Sequence, residues 1–209
     1  MRPKTRRKES SPSRRADESA PRSGRASRAA ALLVLAVASL ATGACAPPPE
    51  RGFSIPESGA PIRRFARVDD GLYRGGYPVG RLDFLKKRGI RTVVNLRSAH
   101  DYRAEAEAAG LNYVHIPLSA GKPPSAEAVR RFLAVVTDPA NRPVYVHCRR
   151  GADRTGAMVA VYRIAVCGWS AERAVREMES FGFASLLYGR LRKYVLHWRP
   201  QGAPAPASR

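Results

Sequence analysis

The sequence predicts an α/β layer fold, and two observations carry that reading. From about residue 63 onward, short β-rich runs alternate with stretches of helical periodicity, the pattern that stacks helices on a sheet. One of those runs, at 143–147, leads through a glycine-containing loop into an apolar helix. At 209 residues, 44% of them hydrophobic, the chain can build one domain core plus extensions, which excludes a wholly disordered protein.

The elements follow in order. A hairpin over 64–74 should turn at Asp70-Gly71, a dipeptide suited to a tight turn. The clearest strands are 91–96 (RTVVNL), 111–118 (LNYVHIPL) and 143–147 (PVYVH). Helical patterns cover 79–88, 101–109, 126–137, 155–166, 171–180 and 186–198. Ser125, after a proline pair, and Ser170, before Ala171-Glu172, are natural N-caps. The domain they build spans 63–199.

The N-terminal third reads differently. Residues 1–28 are Arg/Ser/Pro-rich without apolar periodicity and are expected to be disordered. Residues 29–46 (AAALLVLAVASLATGACA) are apolar and uncharged, bounded by Arg28 and by Pro47-Pro48-Pro49. A basic leader, an apolar core and a small-residue end make a secretory signal or signal anchor. The expectation is an exported domain tethered to the membrane of the cell envelope, facing the periplasm or another extracytoplasmic side. Thr42-Gly43-Ala44-Cys45 resembles a bacterial lipobox, which would make Cys45 the lipidated residue; an uncleaved anchor and simple cleavage are the alternatives. Residues 47–62 read as a Pro/Gly/Ser linker and 200–209 as a disordered tail.

Lys and Arg number 37 against 17 Asp and Glu, a formal net charge of +20. Residues 1–28 hold +7 of it, which leaves +13 on the remainder. This fits a solvated basic surface or a field that steers anionic substrates or membranes. With no recognition motif or interleaved aromatics beside the charge, nucleic acid is not an expected partner. Three cysteines are too few for a disulfide scaffold and too irregular for zinc, and His100, His115 and His197 form no ligand spacing.

The chemistry concentrates in His147-Cys148-Arg149-Arg150-Gly151-Ala152-Asp153-Arg154-Thr155-Gly156. A Cys followed six residues later by Arg also occurs at Cys45/Arg51 and Cys167/Arg173, so the bare spacing selects nothing. Context does. Cys148 alone comes directly off a strand, has a glycine in its loop and is followed by Thr-Gly opening an apolar helix. Such a turn aims successive backbone N–H groups inward as an anion nest, and the helix N-terminus adds partial positive charge. Gly151 permits close backbone approach. An electropositive cradle favours the thiolate, the nucleophilic form. Arg154 presents a planar fork matched to two phosphoryl oxygens. Thr155 would hydrogen-bond the sulfur when it departs, and His147 would orient the loop.

This decapeptide resembles the signature loop of the protein tyrosine/dual-specificity phosphatase superfamily. The stretches VDDGLYRGGYP and GIRTVVNLRS are similar to small bacterial and atypical plant/fungal dual-specificity phosphatases, over about residues 67–183. The resemblance implies a central mixed sheet flanked by helices, a covalent phosphocysteine intermediate and no metal or other cofactor. By position, Cys148 would be nucleophile, Arg154 phosphate clamp, and residues Arg149, Arg150, Gly151, Ala152 and Asp153 the oxyanion cradle. A phosphorylated protein or small phosphorylated molecule would be the substrate. Phosphotyrosine, with phosphoserine or phosphothreonine, is the first expectation. Arg149 and Arg150 stand where the atypical plant/fungal enzymes carry basic residues and favour inositol pyrophosphates, which keeps inositol phosphates and phosphoinositides open. So does a phosphate-binding module without turnover.

One departure matters. These enzymes draw a general-acid Asp from a loop some 30 residues before the cysteine, yet 116–124 (IPLSAGKPP) holds no carboxylate. Asp138 sits in an apparent helix-to-strand turn and reads as structural; Asp101 is more distant. Asp153 is the better candidate, resembling the Asp-Arg-Thr loop ends of myotubularin-like phosphatases. It would protonate the leaving oxygen or position water, or else form an ion pair that holds Arg154. Lys122 would overhang the site, Phe183 or Tyr73 would flank it, and Cys167 would be a resolving partner for an oxidised Cys148. Tyr162 and Trp169 read as packing residues.

Overall fold

In the computed structural model, residues 52–200 are described. The expectations for 1–28, 29–46, Cys45 and 201–209 lie outside the described residues, as does 47–51 of the expected linker.

Asp70-Gly71 makes the expected turn: β1 (Ala66–Asp69) runs antiparallel to β2 (Leu72–Gly75). A Cβ at Gly71 would fall 1.6 Å from the Arg142 guanidinium, which would have to swing aside. The other strands, β3 (Thr92–Arg97), β4 (Asn112–Leu118) and β5 (Val144–His147), are parallel. The sheet order is β1-β2-β5-β3-β4, with β5 between β2 and β3. The sheet is mixed, as expected, and its middle strand delivers Cys148.

Period-2 alternation along the strands divides the core into two layers. Val144 and Val146 of β5 and Val94 of β3 face α3 (Ala126–Thr137), α4 (Asp153–Ala165), α5 (Ala171–Ser180) and α6 (Gly189–His197). Tyr145 and Val93 face the opposite way, toward α1 (Leu82–Lys87) and α2 (Arg103–Ala108). Helix α4 is buried on nearly every side from Thr155 to Arg163, so its apolar character reflects a central position. Gly156 permits this: a Cβ there would stand 2.7 Å from Met178 of α5.

Ser125 and Ser170 accept from the backbone N–H groups of Ala128 and Arg173, and the helices they open match the expected spans. Four starts differ; that of α2 falls at Arg103 rather than 101. The left-handed Gly80 (φ +74°) delays α1 to Leu82. Helix α4 begins two residues early, at Asp153. Helix α6 begins at Gly189, because 184–188 closes as a turn in which Leu187 and Tyr188 both donate to the Ala184 carbonyl.

The segment expected as the end of a linker packs on the domain instead. The buried Ser54 donates from its N–H (2.7 Å) and hydroxyl (3.0 Å) to the Glu177 carboxylate, and Ile62 enters the core. A buried carboxylate that needed donors explains why a Pro/Gly/Ser composition did not leave the chain free.

Candidate active site

The C-terminal ends of the parallel strands, where α/β sheets open a crevice, carry Cys148. Gly75 of β2 and Asn95 of β3 both pair with His147. The chain then loops through 148–152 into α4. Gly151 has φ +74°, and a Cβ there would lie 2.4 Å from the Gly75 carbonyl carbon. Only glycine lets the loop lie this close to the end of β2.

Outside donors hold the loop's carbonyls. Tyr77 N–H donates to Arg149 O (3.3 Å), the Arg64 guanidinium to Arg150 O (3.2 Å), and the Arg74 guanidinium to Gly151 O (3.2 Å). Carbonyls drawn outward leave the loop's N–H groups for an anion on the inner side. Ala152 occupies the N-cap of α4 with no side chain to cap it, so the helix N-terminus is open to a ligand as well.

A cavity of about 520 Å³ sits over this loop. The loop contributes Cys148, Arg149, Arg150, Asp153 and Arg154 to its lining; Arg63, Ala120 and Tyr188 complete the walls. Cys148 is 2% exposed, at the base. Arg154 donates to Leu118 O (3.1 Å) and, more weakly, to Leu96 O (3.5 Å), which fixes its plane against the ends of β4 and β3. The Thr155 hydroxyl is buried without a partner among the described residues.

His147 orients the loop, as the sequence suggested. Burial depresses its pKa from 6.5 to about 3, so the ring is neutral. Its Nδ1–H donates to the Cys148 carbonyl (3.2 Å), and the Tyr102 hydroxyl, held protonated by burial, donates to Nε2 (2.6 Å). Both ring nitrogens are committed, which leaves no base.

Asp153 departs from expectation. Its ion pair is with Arg150 (2.7 Å), not Arg154, and its other oxygen accepts from Ala184 N–H (3.0 Å). Arg150 lies in the loop just before α4, whereas Asp153 and Arg154, neighbours on the helix, diverge by about 100°. Both oxygens are acceptors here.

Other expected residues fall away from the pocket. Lys122 is exposed outside its lining. Tyr73 stacks on Phe65 on the opposite sheet face, and Phe183 is buried beside Tyr188, supporting the wall from behind. Asp138 closes a turn by accepting from Ala140 N–H, and Asp101 accepts from Arg103 N–H. Tyr162 and Trp169 are packed in the core, as expected. Cys167 cannot resolve an oxidised Cys148. The 13-residue α4 separates them by about 20 Å, far beyond the ~7 Å that a disulfide spans.

Sequence reasoning missed Arg74. Its side chain is wholly buried beneath the loop, 3.6 Å above the Phe181 ring, and burial lowers its pKa to about 10. Arg63, Ala120 and Tyr188 were missed too. The one signal for Arg74 was a lone charge between apolar neighbours in a hairpin strand.

Known proteins resemble this chain in sequence and in fold. The inositol diphosphatase DSP1 of Oryza sativa subsp. japonica is 35% identical over 111 residues, covering 49% of this chain and 50% of that protein. The dual specificity protein phosphatase TpbA of Pseudomonas aeruginosa (strain UCBPP-PA14) is 32% identical over 118 residues, covering 56% of this chain and 54% of that protein. The chain thus spans about half the length of these relatives. The crystal structure of P. aeruginosa TpbA in complex with pTyr superposes with a TM-score of 0.60 at 26% identity, over 71% of this chain and 91% of that one. The catalytic domain of the PP-IP phosphatase SIW14 from S. cerevisiae, at 21% identity and TM-score 0.61 over 68% of this chain and 88% of that one, shares the fold. The family model described as "DSP-PTPase phosphatase fused to NAD+ Kinase" matches residues 66–188, more than half of the chain, which therefore belongs to the DSP-PTPase family.

Proposed function

We propose that this chain is an exported, membrane-tethered cysteine-dependent phosphatase that hydrolyses phosphomonoesters, foremost protein phosphotyrosine, through a phosphocysteine at Cys148. The observation that carries the reading is Cys148 at the base of a pocket formed by a carbonyl-out loop, an uncapped helix N-terminus and Arg154. Anionic substrate binds the loop N–H groups and the Arg154 fork. The Cys148 thiolate attacks phosphorus in line; the P–S bond forms as the bond to the leaving oxygen breaks. Water then attacks phosphorus, the P–S bond breaks, and phosphate leaves with the thiolate restored. Arg154 is worth most as equatorial charge builds, and Thr155 donates its hydroxyl to the departing sulfur.

With both its oxygens accepting, Asp153 holds Arg150 and the Ala184 turn rather than supplying a proton. The leaving oxygen then takes its proton from water, which favours leaving groups that tolerate negative charge. A phenol does so far better than an alkyl alcohol, so phosphotyrosine outranks phosphoserine and phosphothreonine. The four arginines of the pocket, Arg63, Arg149, Arg150 and Arg154, favour a second reading, an inositol diphosphate, whose leaving group is itself a phosphate.

The test is phosphate release by the full-length chain from an aryl phosphate, an alkyl phosphate and an inositol diphosphate, beside Cys148→Ser and Asp153→Asn. The expected result is turnover abolished by Cys148→Ser, with Asp153→Asn slowing the aryl and alkyl esters by the same factor. If Asp153→Asn slows the alkyl ester tenfold more than the aryl ester, Asp153 is the general acid. Binding without release by the wild type makes the domain a phosphate-binding module.

A further inference from the structure

Beside the pocket, the turn at 184–188 carries Leu186 and Leu187, which are 103% and 76% exposed. Single exposed leucines are ordinary. These two differ because they are adjacent, occupy the tip of a closed turn and stand next to a pocket wall. Tyr188, the next residue, lines the cavity, and Ala184 at the base of the turn donates to Asp153. Buried Phe183 packs against the Tyr188 ring, so both ends of the tip are anchored while the leucines are offered to solvent.

The surroundings are cationic. Arg63, Arg149 and Arg150 line the same pocket, and Arg64, which donates to the Arg150 carbonyl, lies close to Gly182 just before the leucine turn. Asp153 is the one carboxylate in that lining, and it is paired to Arg150. The crowding is felt by Arg64, whose pKa is lowered by burial and then by the charges of Arg63 and Arg150. An exposed apolar tip beside an excess of arginine, with Asp153 paired to Arg150 and Glu179 held by Ser185 and Arg192, suits hydrocarbon and negative charge side by side. An anionic bilayer offers both, its hydrocarbon lying about 5–10 Å beneath the headgroups.

We propose that the Leu186–Leu187 tip and the arginines beside it form an interfacial contact that seats the mouth of the pocket on an anionic lipid bilayer. The contact is independent of turnover. Whatever segment 29–46 does to hold the chain at a membrane, the tip decides which face of the domain meets the lipid.

The experiment places a reporter in the tip. Full-length Leu186→Trp is mixed with phosphatidylcholine vesicles carrying acyl-brominated lipid, with and without about 30 mol% phosphatidylglycerol. The unsubstituted chain is subtracted as background for Trp169 and Trp198. The added tryptophan should be quenched about twofold or more by the brominated anionic vesicles and much less by the neutral ones. Adding Arg63→Gln and Arg64→Gln should remove most of that difference. The same quenching with Cys148→Ser separates the contact from phosphatase activity. A chain that does not bind vesicles, or that binds them with the tip unquenched, overturns the proposal. So does a blue shift of the added tryptophan that grows with protein concentration in the absence of lipid, which would mark a second copy as the occupant.

Discussion

His147 and Arg74 show how single buried groups serve the loop. The unfolded His147 ring takes its proton near pH 6.5, the folded ring only near 3. Between those values the unfolded chain binds the extra proton. His147 therefore costs no stability above about pH 6.5, and stability falls as pH drops toward 3, by about 1.4 kcal/mol per unit. Unfolding free energy measured against pH should show this slope in the wild type and lose it in His147→Gln; equal slopes would refute the assignment. Arg74 acts through Gly151. Arg74→Met should lower kcat about 100-fold with KM little changed, because the cradle is worth most in the transition state, and Arg74→Lys should restore part of it. A rise in KM alone would make Arg74 a ground-state binding group.

At the scale of elements, the meeting of the loop with β2 decides the site. Gly151→Ala brings a left-handed residue and a methyl 2.4 Å from the Gly75 carbonyl carbon, so the loop must move away from Arg74 and Tyr77. Phosphate release should fall 100-fold or more, an effect of the size seen when a transition-state donor is misplaced, while circular dichroism stays native. Retained activity would show that the loop position is not needed. Most elements were legible because their signals are local: the hairpin from Asp70-Gly71, and α3 and α5 from their serine caps. The start of α4 was not, because Ala152 offers no cap signal where the helix end is left open for an anion. The start of α6 was misread because Leu186 and Leu187 continue an apolar period that the turn at Ala184 interrupts.

Across the molecule, Glu177 ties the segment beginning at residue 52 to two helices. Arg163 of α4 donates to its carboxylate from Nε (3.1 Å) and Nη2 (2.8 Å), and Ser54 adds two bonds. Burial raises the Glu177 pKa, but these partners outweigh it and hold the carboxyl below its ordinary value. Arg163 also lies 4.2 Å over Trp169, against which Phe53 packs. Glu177→Ala would leave a 1% exposed guanidinium without its counter-charge, a loss of about 3–5 kcal/mol. Urea unfolding measures this, and hydrogen exchange at the Ser54 amide should quicken in step. A change under about 1 kcal/mol would show that the network is incidental.

What the sequence by itself determined was local: a strand leading into Cys148, a loop of arginines and glycine, and a helix to close it, each specified by residues a few positions apart. The positions of Cys148, Arg154 and His147 around one loop were readable for that reason. Tertiary structure alone decided what surrounds them. Arg74 reaches Gly151 across 77 positions, Ala184 reaches Asp153 across 31, and Ser54 reaches Glu177 across 123. Turn, cap and periodicity signals act over a turn or two of chain, whereas these pairings exist only after burial excludes water and leaves each polar group to find a partner inside the fold.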